Sequence, residues 1–267
     1  MKHAGSNETL AAASNTAGEP AVGPHPFGLA AQSLVSRLVL AAGCFLVIAL
    51  VADGPVRDLA QGLDPSARAV LRFVTGLGNS AWPLGIGLSL IGLIEALRRC
   101  DPLFLTEEVR RVRSMLVFVV ASVAISGFLA SLSKHVIGRM RPSTDPEAMV
   151  FDFSVMAFKS GWAAFPSGHA TTATAAAVAL ALCFPRLAWA WATLGALAAL
   201  SRVLLGVHWL TDSLAGIGLG ALVTFEIHRR MTAAGHELEL LPGALARTAA
   251  RGAVTLRWLV VRVAGRS

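Results

Sequence analysis

Long apolar stretches alternate with short polar intervals along the chain, and the stretches have the length of membrane spans. A transmembrane helix needs about 20 mainly apolar residues. Runs of that kind lie at about 34–53, 79–97, 113–133, 167–184, 187–206 and 212–228. The pattern predicts an all-α polytopic membrane protein with six transmembrane helices in an antiparallel bundle. Only Pro185 and Arg186 separate the fourth and fifth runs. Proline ends a helix by removing an N–H donor and colliding with the preceding turn, so these two runs should form a tight hairpin.

The flanks read differently. Residues 1–33 are rich in Ala, Gly, Ser, Asn and Pro and lack a basic start followed by an apolar core. They predict a mobile tail without a cleaved signal peptide, the first span itself directing insertion. Asp64-Pro65-Ser66 has the form of a helix start, with Asp64 as cap and Pro65 in the first turn. The helix that follows, through Arg68, Val70, Leu71, Phe73 and Val74, is short and charged and should lie in the interface. The expected organisation is a tail at 1–33, a membrane domain at 34–230 and a basic C-terminal tail at 231–267. In that last segment Arg247, Arg251, Arg257, Arg262 and Arg266 interleave with Leu256, Leu259, Val260, Val261 and Val263. An amphipathic helix on anionic lipid and a frayed basic tail are both consistent with this pattern.

Composition agrees with the membrane reading. The chain is 55% hydrophobic and 15% charged, with a mean hydropathy of +0.63, too apolar for an ordinary soluble domain. Charge adds an orientation. With six spans, the termini, the 98–112 loop and the 185–186 turn share one side, which collects 15 of the 23 Lys and Arg residues and leaves 8 opposite. The positive-inside rule makes the first side cytoplasmic, as for a protein of the bacterial inner or plasma membrane with both termini inside. Topology thus accounts for the net charge of +7, and no nucleic-acid partner is called for. Cys44 and Cys183 fall within spans and Cys100 at a cytoplasmic edge, so no disulfide is expected. No Cys/His cluster has zinc spacing.

Four of the eight outer cations belong to polar blocks beside span ends. The first block runs from Lys134 through Arg139 to Arg141-Pro142, the second is Pro166-Ser167-Gly168-His169, and the third is Ser201-Arg202 followed by His208 and Asp212. Charges at a membrane boundary are costly, and Lys134, Arg139, Arg141 and Arg202 together call for an anion. A phosphate suits them, since arginine matches two phosphate oxygens at once and lysine acts as a point charge. The second block opens a helix whose first N–H groups lack partners and whose dipole is positive there. Ser167 is a favoured cap and Gly168 admits close approach of a ligand to the backbone. His208 and Asp212 are four apart, which on a helix puts them on one face, where a carboxylate can fix one imidazole nitrogen and free the other to attack. Singly, these features also suit snorkelling cations, an ordinary capped helix and a histidine in an aromatic belt. Those ordinary readings do not predict all three blocks on one side.

On these residues the chain resembles the type-2 phosphatidic acid phosphatase family, whose signature is K-x6-R-P, P-S-G-H and S-R-x5-H-x3-D. Lys134 to Arg141-Pro142, Pro166 to His169, and Ser201-Arg202 with His208 and Asp212 match every position. The resemblance spans roughly residues 34–230. It implies that His208 attacks phosphorus to form a phosphohistidine, that Asp212 orients it, and that His169 protonates the leaving group and later activates water. Lys134, Arg141, Arg202, Ser167 and the Gly168 N–H would hold the phosphate oxygens. The family uses no metal or other cofactor. Arg139 and His135 lie outside the signature, and headgroup contact is one candidate role for each, which the sequence does not decide. The soluble vanadate haloperoxidases share the signature, but six spans argue against that outcome.

The activity implied is hydrolysis of a lipid phosphate monoester or pyrophosphate on the extracytoplasmic face. Phosphatidic acid, phosphatidylglycerol phosphate, undecaprenyl pyrophosphate and lipid A phosphates are the substrates in view, with membrane lipids as surroundings and no obligatory protein partner. Two other readings stay open: phosphotransfer to an alcohol acceptor, and a non-catalytic protein that binds or transports phosphate lipids. The loop from Ser143 to Phe165 carries Phe151, Phe153, Phe158, Trp162 and Phe165. Those aromatics read as a packed cap on the helix ends, with contact to a lipid chain as the alternative.

Overall fold

The computed structural model describes residues 34–145, 147–240 and 243–264, so the tail expected at 1–33 lies outside the described residues. Regular structure there is helical, apart from an isolated antiparallel bridge between Arg139 and Phe153. The α-helices are α1 (Leu34–Val51), α2 (Asp53–Gln61), α3 (Pro65–Thr75), α4 (Ala81–Cys100), α5 (Glu107–Ile137), α6 (Gly168–Cys183), α7 (Ala188–Leu204), α8 (Leu210–Ala233) and α9 (Ala244–Ala264). By its contacts the chain divides inside α1, after Gly43. Residues 34–43 continue as plain helix, and all packing that follows lies within Cys44–Ser267.

Four stretches are long and apolar enough to cross a membrane: Pro65–Cys100, Glu107–Ile137, Pro185–Leu204 and Leu210–Ala233. The pair Val39–Val51 and Asp53–Gln61, bent by 41°, makes a fifth if it is one span. The fourth apolar run is α6, and it is only 16 residues long. Ser167 caps its start, and Pro185 follows its end after Phe184, so the helix has no room to extend. Helix α3 starts where Asp64-Pro65-Ser66 predicts, with the Asp64 carboxylate accepting from the Ser66 N–H at 2.8 Å. A 3-10 turn, Gly76–Gly78, joins α3 closely to α4, so the segment expected as a separate interfacial helix forms one stretch with the following span.

Helix α6 packs against α5, α7 and α8. Its Ala and Thr residues are almost all buried, and small side chains let membrane helices approach closely where dispersion contacts replace the hydrophobic effect. Helix α8 comes close at Gly220 and Gly216, and at Gly216 an added Cβ would sit 2.6 Å from the Ser167 carbonyl oxygen. Gly216→Ala should therefore push α8 off the start of α6, lowering stability by about 1–3 kcal/mol as for other overpacked sites. A depressed thermal midpoint of the detergent-solubilised variant would register it, and a wild-type midpoint would contradict this packing.

Helix α9 packs on α4 and α5. Thr255 is buried, with its hydroxyl donating to Asp101 at 3.3 Å, while Arg247 pairs with Glu108 at 3.3 Å. Val254, Val260 and Val261 face outward and are exposed.

Candidate functional site

The first block is built at the end of α5. Lys134 lies in its last turn, and Gly138, at φ +62°, closes the helix in the left-handed conformation that glycine adopts without steric cost. The chain then runs extended through Arg139 to Arg141, with the Met140 N–H bonded to the Asp152 carbonyl and the Arg141 N–H to the Gly161 carbonyl. In the second block the buried Ser167 caps α6, its hydroxyl accepting from the Ala170 N–H at 3.5 Å. Its own N–H donates to the Asp212 carbonyl at 2.9 Å, which ties the start of α6 to the start of α8. The third block spans the turn between α7 and α8. The Val207 and His208 N–H groups both bond to the Arg202 carbonyl, at 3.2 and 3.3 Å. Ser201, fully buried, donates back to Ala198 inside its helix and serves packing.

These elements gather Lys134, Arg141, Arg202, His169 and His208 within electrostatic reach of one another. The Lys134 ammonium rests against the first turn of α6: a Cβ on Gly168 would stand 2.9 Å from Nζ. Arg141 and Arg202 are partly buried, and each has a single weak side-chain bond, to the Ala163 carbonyl and the Thr75 hydroxyl respectively, both at 3.4 Å. Their Nε atoms are buried without a hydrogen-bond partner in the protein. Burial holds the Arg141 guanidinium below its ordinary pKa. Half-buried cations with unmet donors around a helix N-terminus suit an anion with several oxygens.

His208 is 3% exposed. Its Nδ1 lies 2.8 Å from the Ala164 carbonyl, which can only accept. Nδ1 therefore carries the proton, and Nε2 keeps its lone pair. Asp212 was expected to do this orienting from one face of a shared helix. Instead His208 precedes α8, and the nearer Asp212 oxygen is 3.6 Å from Nδ1, too far for a hydrogen bond. Burial lowers the His208 pKa from its ordinary 6.5, against an opposing pull from Asp212.

Both Asp212 oxygens are engaged elsewhere. Oδ2 accepts from the Trp209 N–H at 2.8 Å, and Oδ1 from Arg139 Nη1 at 2.6 Å. Arg139 is thus not the headgroup contact that its position suggested, because it is 2% exposed and paired inside the protein. Its Nη2 donates to Asp53 Oδ2 at 2.8 Å. Asp53, at the start of α2, had no signal in the sequence beyond a carboxylate at a span edge. Leaving such a charge buried and unpaired costs about 3–5 kcal/mol, so these three side chains stand or fall together. His135 bonds the Ser131 carbonyl at 2.8 Å and stacks on Phe158, ring centroids 5.3 Å apart.

The loop aromatics divide: Trp162 and Phe165 are partly buried, Phe165 packing edge-on to Phe45 with ring centroids 5.6 Å apart. Phe151, Phe153 and Phe158 are exposed, together with Met149, Val155 and Met156. Next to Lys134 and His169 a cavity of about 330 Å³ opens between α4, α5 and α6, lined by Asn79, Ser80, Phe128 and Ser131 among others.

Residues 115–235 match the family model described as the PAP2 superfamily. A lipid A 1-phosphatase of Rhizobium etli is 30% identical over 189 residues, covering 68% of this chain and 79% of that protein. The chain belongs to the PAP2 superfamily. Another relative of this PAP2 protein is an undecaprenyl-diphosphatase of Sulfolobus acidocaldarius, 33% identical over 117 residues that cover 43% of this chain and 55% of the relative. Among solved structures, the transmembrane PAP2-type phosphatidylglycerolphosphate phosphatase of Bacillus subtilis shares the fold at a TM-score of 0.50 and 23% identity, covering 74% of this chain and 96% of that one. With its apolar helices, this PAP2 chain is an integral membrane protein.

Proposed function

We propose that this PAP2 protein hydrolyses a phosphate monoester or pyrophosphate of a membrane lipid through a phosphohistidine on His208. The observation that carries the reading is the Nδ1 bond from His208 to the Ala164 carbonyl, which leaves Nε2 unprotonated on a ring within electrostatic reach of Lys134 and Arg202. Nε2 attacks phosphorus in line, the bond to the leaving oxygen breaks, and His169 gives that oxygen a proton. His169 then takes a proton from water, the water oxygen attacks phosphorus, the P–N bond breaks, and inorganic phosphate leaves. Lys134, Arg141 and Arg202, with Ser167 and the Gly168 N–H, hold the equatorial oxygens as charge redistributes. Asp212 sits behind the imidazole and favours its positive charge in the intermediate. A pocket of three cations disfavours a divalent ion, so the reaction proceeds without metal.

The topology proposed is six spans, antiparallel, with α6 as a short central one. Both termini are cytoplasmic, the site faces the periplasm or outside, and α9 lies along anionic lipid headgroups. The relatives act on lipid A, undecaprenyl diphosphate and phosphatidylglycerolphosphate by name, and this protein takes a substrate of the same chemical class. The exposed apolar loop at 149–158 reaches the acyl or prenyl chains.

Purified protein in detergent with EDTA should release phosphate from at least one of phosphatidic acid, phosphatidylglycerol phosphate, undecaprenyl pyrophosphate and lipid A 1-phosphate. Binding without release would favour the transport alternative, and phosphate recovered on an added lipid alcohol would favour transfer. A pH series adds a further prediction. Only the neutral imidazole attacks, and burial lowers its pKa, so the acid limb of kcat/KM should fall below 6.5. A limb above that value would contradict a buried, unprotonated His208.

A further inference from the structure

Asp53 lies outside the residues that match the family model, yet it is 1% exposed and in hydrogen-bond contact with the start of α8. Its Oδ1 accepts the Thr211 N–H at 2.9 Å, and its Oδ2 accepts the Thr211 hydroxyl at 2.5 Å. The Thr211 amide belongs to the first turn of α8, where N–H groups have no helical acceptor. Asp53 therefore caps a helix from 158 positions away in sequence.

Arg139 joins this cap to the His208 turn on two routes. Through its side chain, Nη1 reaches both the Thr211 hydroxyl at 2.8 Å and Asp212 at 2.6 Å, while Nε holds the Val150 carbonyl at 3.0 Å. Through its backbone, the Arg139 carbonyl accepts the Ala164 N–H at 3.0 Å, and Ala164 is the residue whose carbonyl sets the His208 tautomer. The guanidinium also lies 5.3 Å from the Trp209 ring centre, next to His208 in the chain. The Trp209 indole N–H is held by the Met140 carbonyl at 2.9 Å.

Resting on the functional reading above, we propose that Asp53 and Arg139 are positioning residues for the His208 nucleophile, a buried brace between α2, the first-block loop and the start of α8. No bond joins either side chain to the His208 ring, so both act through Thr211, Asp212 and the turn. The brace also contributes to the field behind the imidazole: the Asp53 carboxylate favours positive charge on His208 and the Arg139 guanidinium opposes it.

That field makes the role separable from plain stability. The other charged and titratable groups around this turn are Asp212, Lys134, Arg141, Arg202, His169 and Arg57, whose guanidinium lies 5.7 Å from the Trp209 ring centre, and none is altered in Asp53→Asn or Arg139→Gln. Removing the Asp53 charge should move the acid limb of kcat/KM to lower pH, and removing the Arg139 charge should move it to higher pH. Arg139→Lys keeps the charge but not the forked geometry, so it should leave the limb in place while lowering kcat.

The experiment is phosphate release in detergent micelles from phosphatidic acid, phosphatidylglycerol phosphate, undecaprenyl pyrophosphate and lipid A 1-phosphate, with variants followed on the lipid that wild type hydrolyses fastest, per mole of folded, monodisperse protein, across pH. In Asp53→Asn, kcat should fall about tenfold to a hundredfold, the scale of a small misplacement of reacting atoms, with KM within about twofold. Wild-type kcat in Asp53→Asn, or variants whose only loss is folded protein with the acid limb unmoved, would overturn the brace. Wild-type protein that releases no phosphate would instead remove the functional reading, and the brace with it.

Discussion

His208→Ala should reduce phosphate release below detection, a loss of about a millionfold, on the scale of deleting a covalent nucleophile. Nothing else near the cations replaces it. Cys183 is buried among Met115, Phe118 and Ala179 in a core cluster, Ser201 donates inside its own helix, and the Ser167 oxygen accepts from the Ala170 N–H while its proton serves the phosphate. The three cations and the α6 N-terminus would remain, so the variant should still bind substrate with an affinity close to that of wild type. Rate and binding then separate cleanly, which a misfolded protein would not show. Residual turnover above about a thousandth of wild type would mean that water attacks directly, with His208 as base rather than nucleophile.

His169→Ala should cost about a hundredfold to ten-thousandfold, the range of general acid–base catalysis. The loss should depend on the leaving group. A lipid alcohol needs His169 to protonate it, whereas a nitrophenyl phosphate leaves as a stable anion. With the nitrophenyl ester, the first step should stay fast in His169→Ala while the second, which needs water deprotonated, stalls. A burst of nitrophenol followed by a slow steady state would report an accumulated phosphoenzyme. Equal losses with both substrates and no burst would take the acid role away from His169.

Much of this account was legible in the sequence for physical reasons. The apolar runs announced the helices because lipid contact and burial both demand apolar surface over a whole helix length. Lys134, Arg141, Arg202, His169 and His208 stood out because charge beside a span is costly and therefore conspicuous. Arg139 carries the same signal, and its role as a buried partner of Asp53 and Asp212 is not legible in it. A cation at a span edge looks alike whether it meets a headgroup or a buried carboxylate, and its partner Asp53 is 86 residues distant. The orienting group on His208 was hidden for a different reason: it is a backbone carbonyl, at Ala164, and carbonyls have no side-chain signature. Asp212 had the expected identity, but the turn at 205–209 breaks the helical spacing on which its orienting role was inferred. Both ends of α6 were legible as well, since the run at 167–184 becomes the helix Gly168–Cys183 between the Ser167 cap and Pro185, which follows Phe184.

The most direct test of the central claim is a rapid-quench trapping experiment with the purified wild-type protein and the lipid phosphate it hydrolyses fastest, radiolabelled at the phosphorus it releases, beside His208→Ala. A phosphohistidine is labile in acid and stable in alkali. The account predicts label on the wild-type protein after an alkaline quench, lost on acid treatment, mapped to His208 by fragmentation, and absent from His208→Ala. Label that survives acid, or that maps to another residue, or free phosphate released at the wild-type rate with no labelled protein at any quench time, would contradict it.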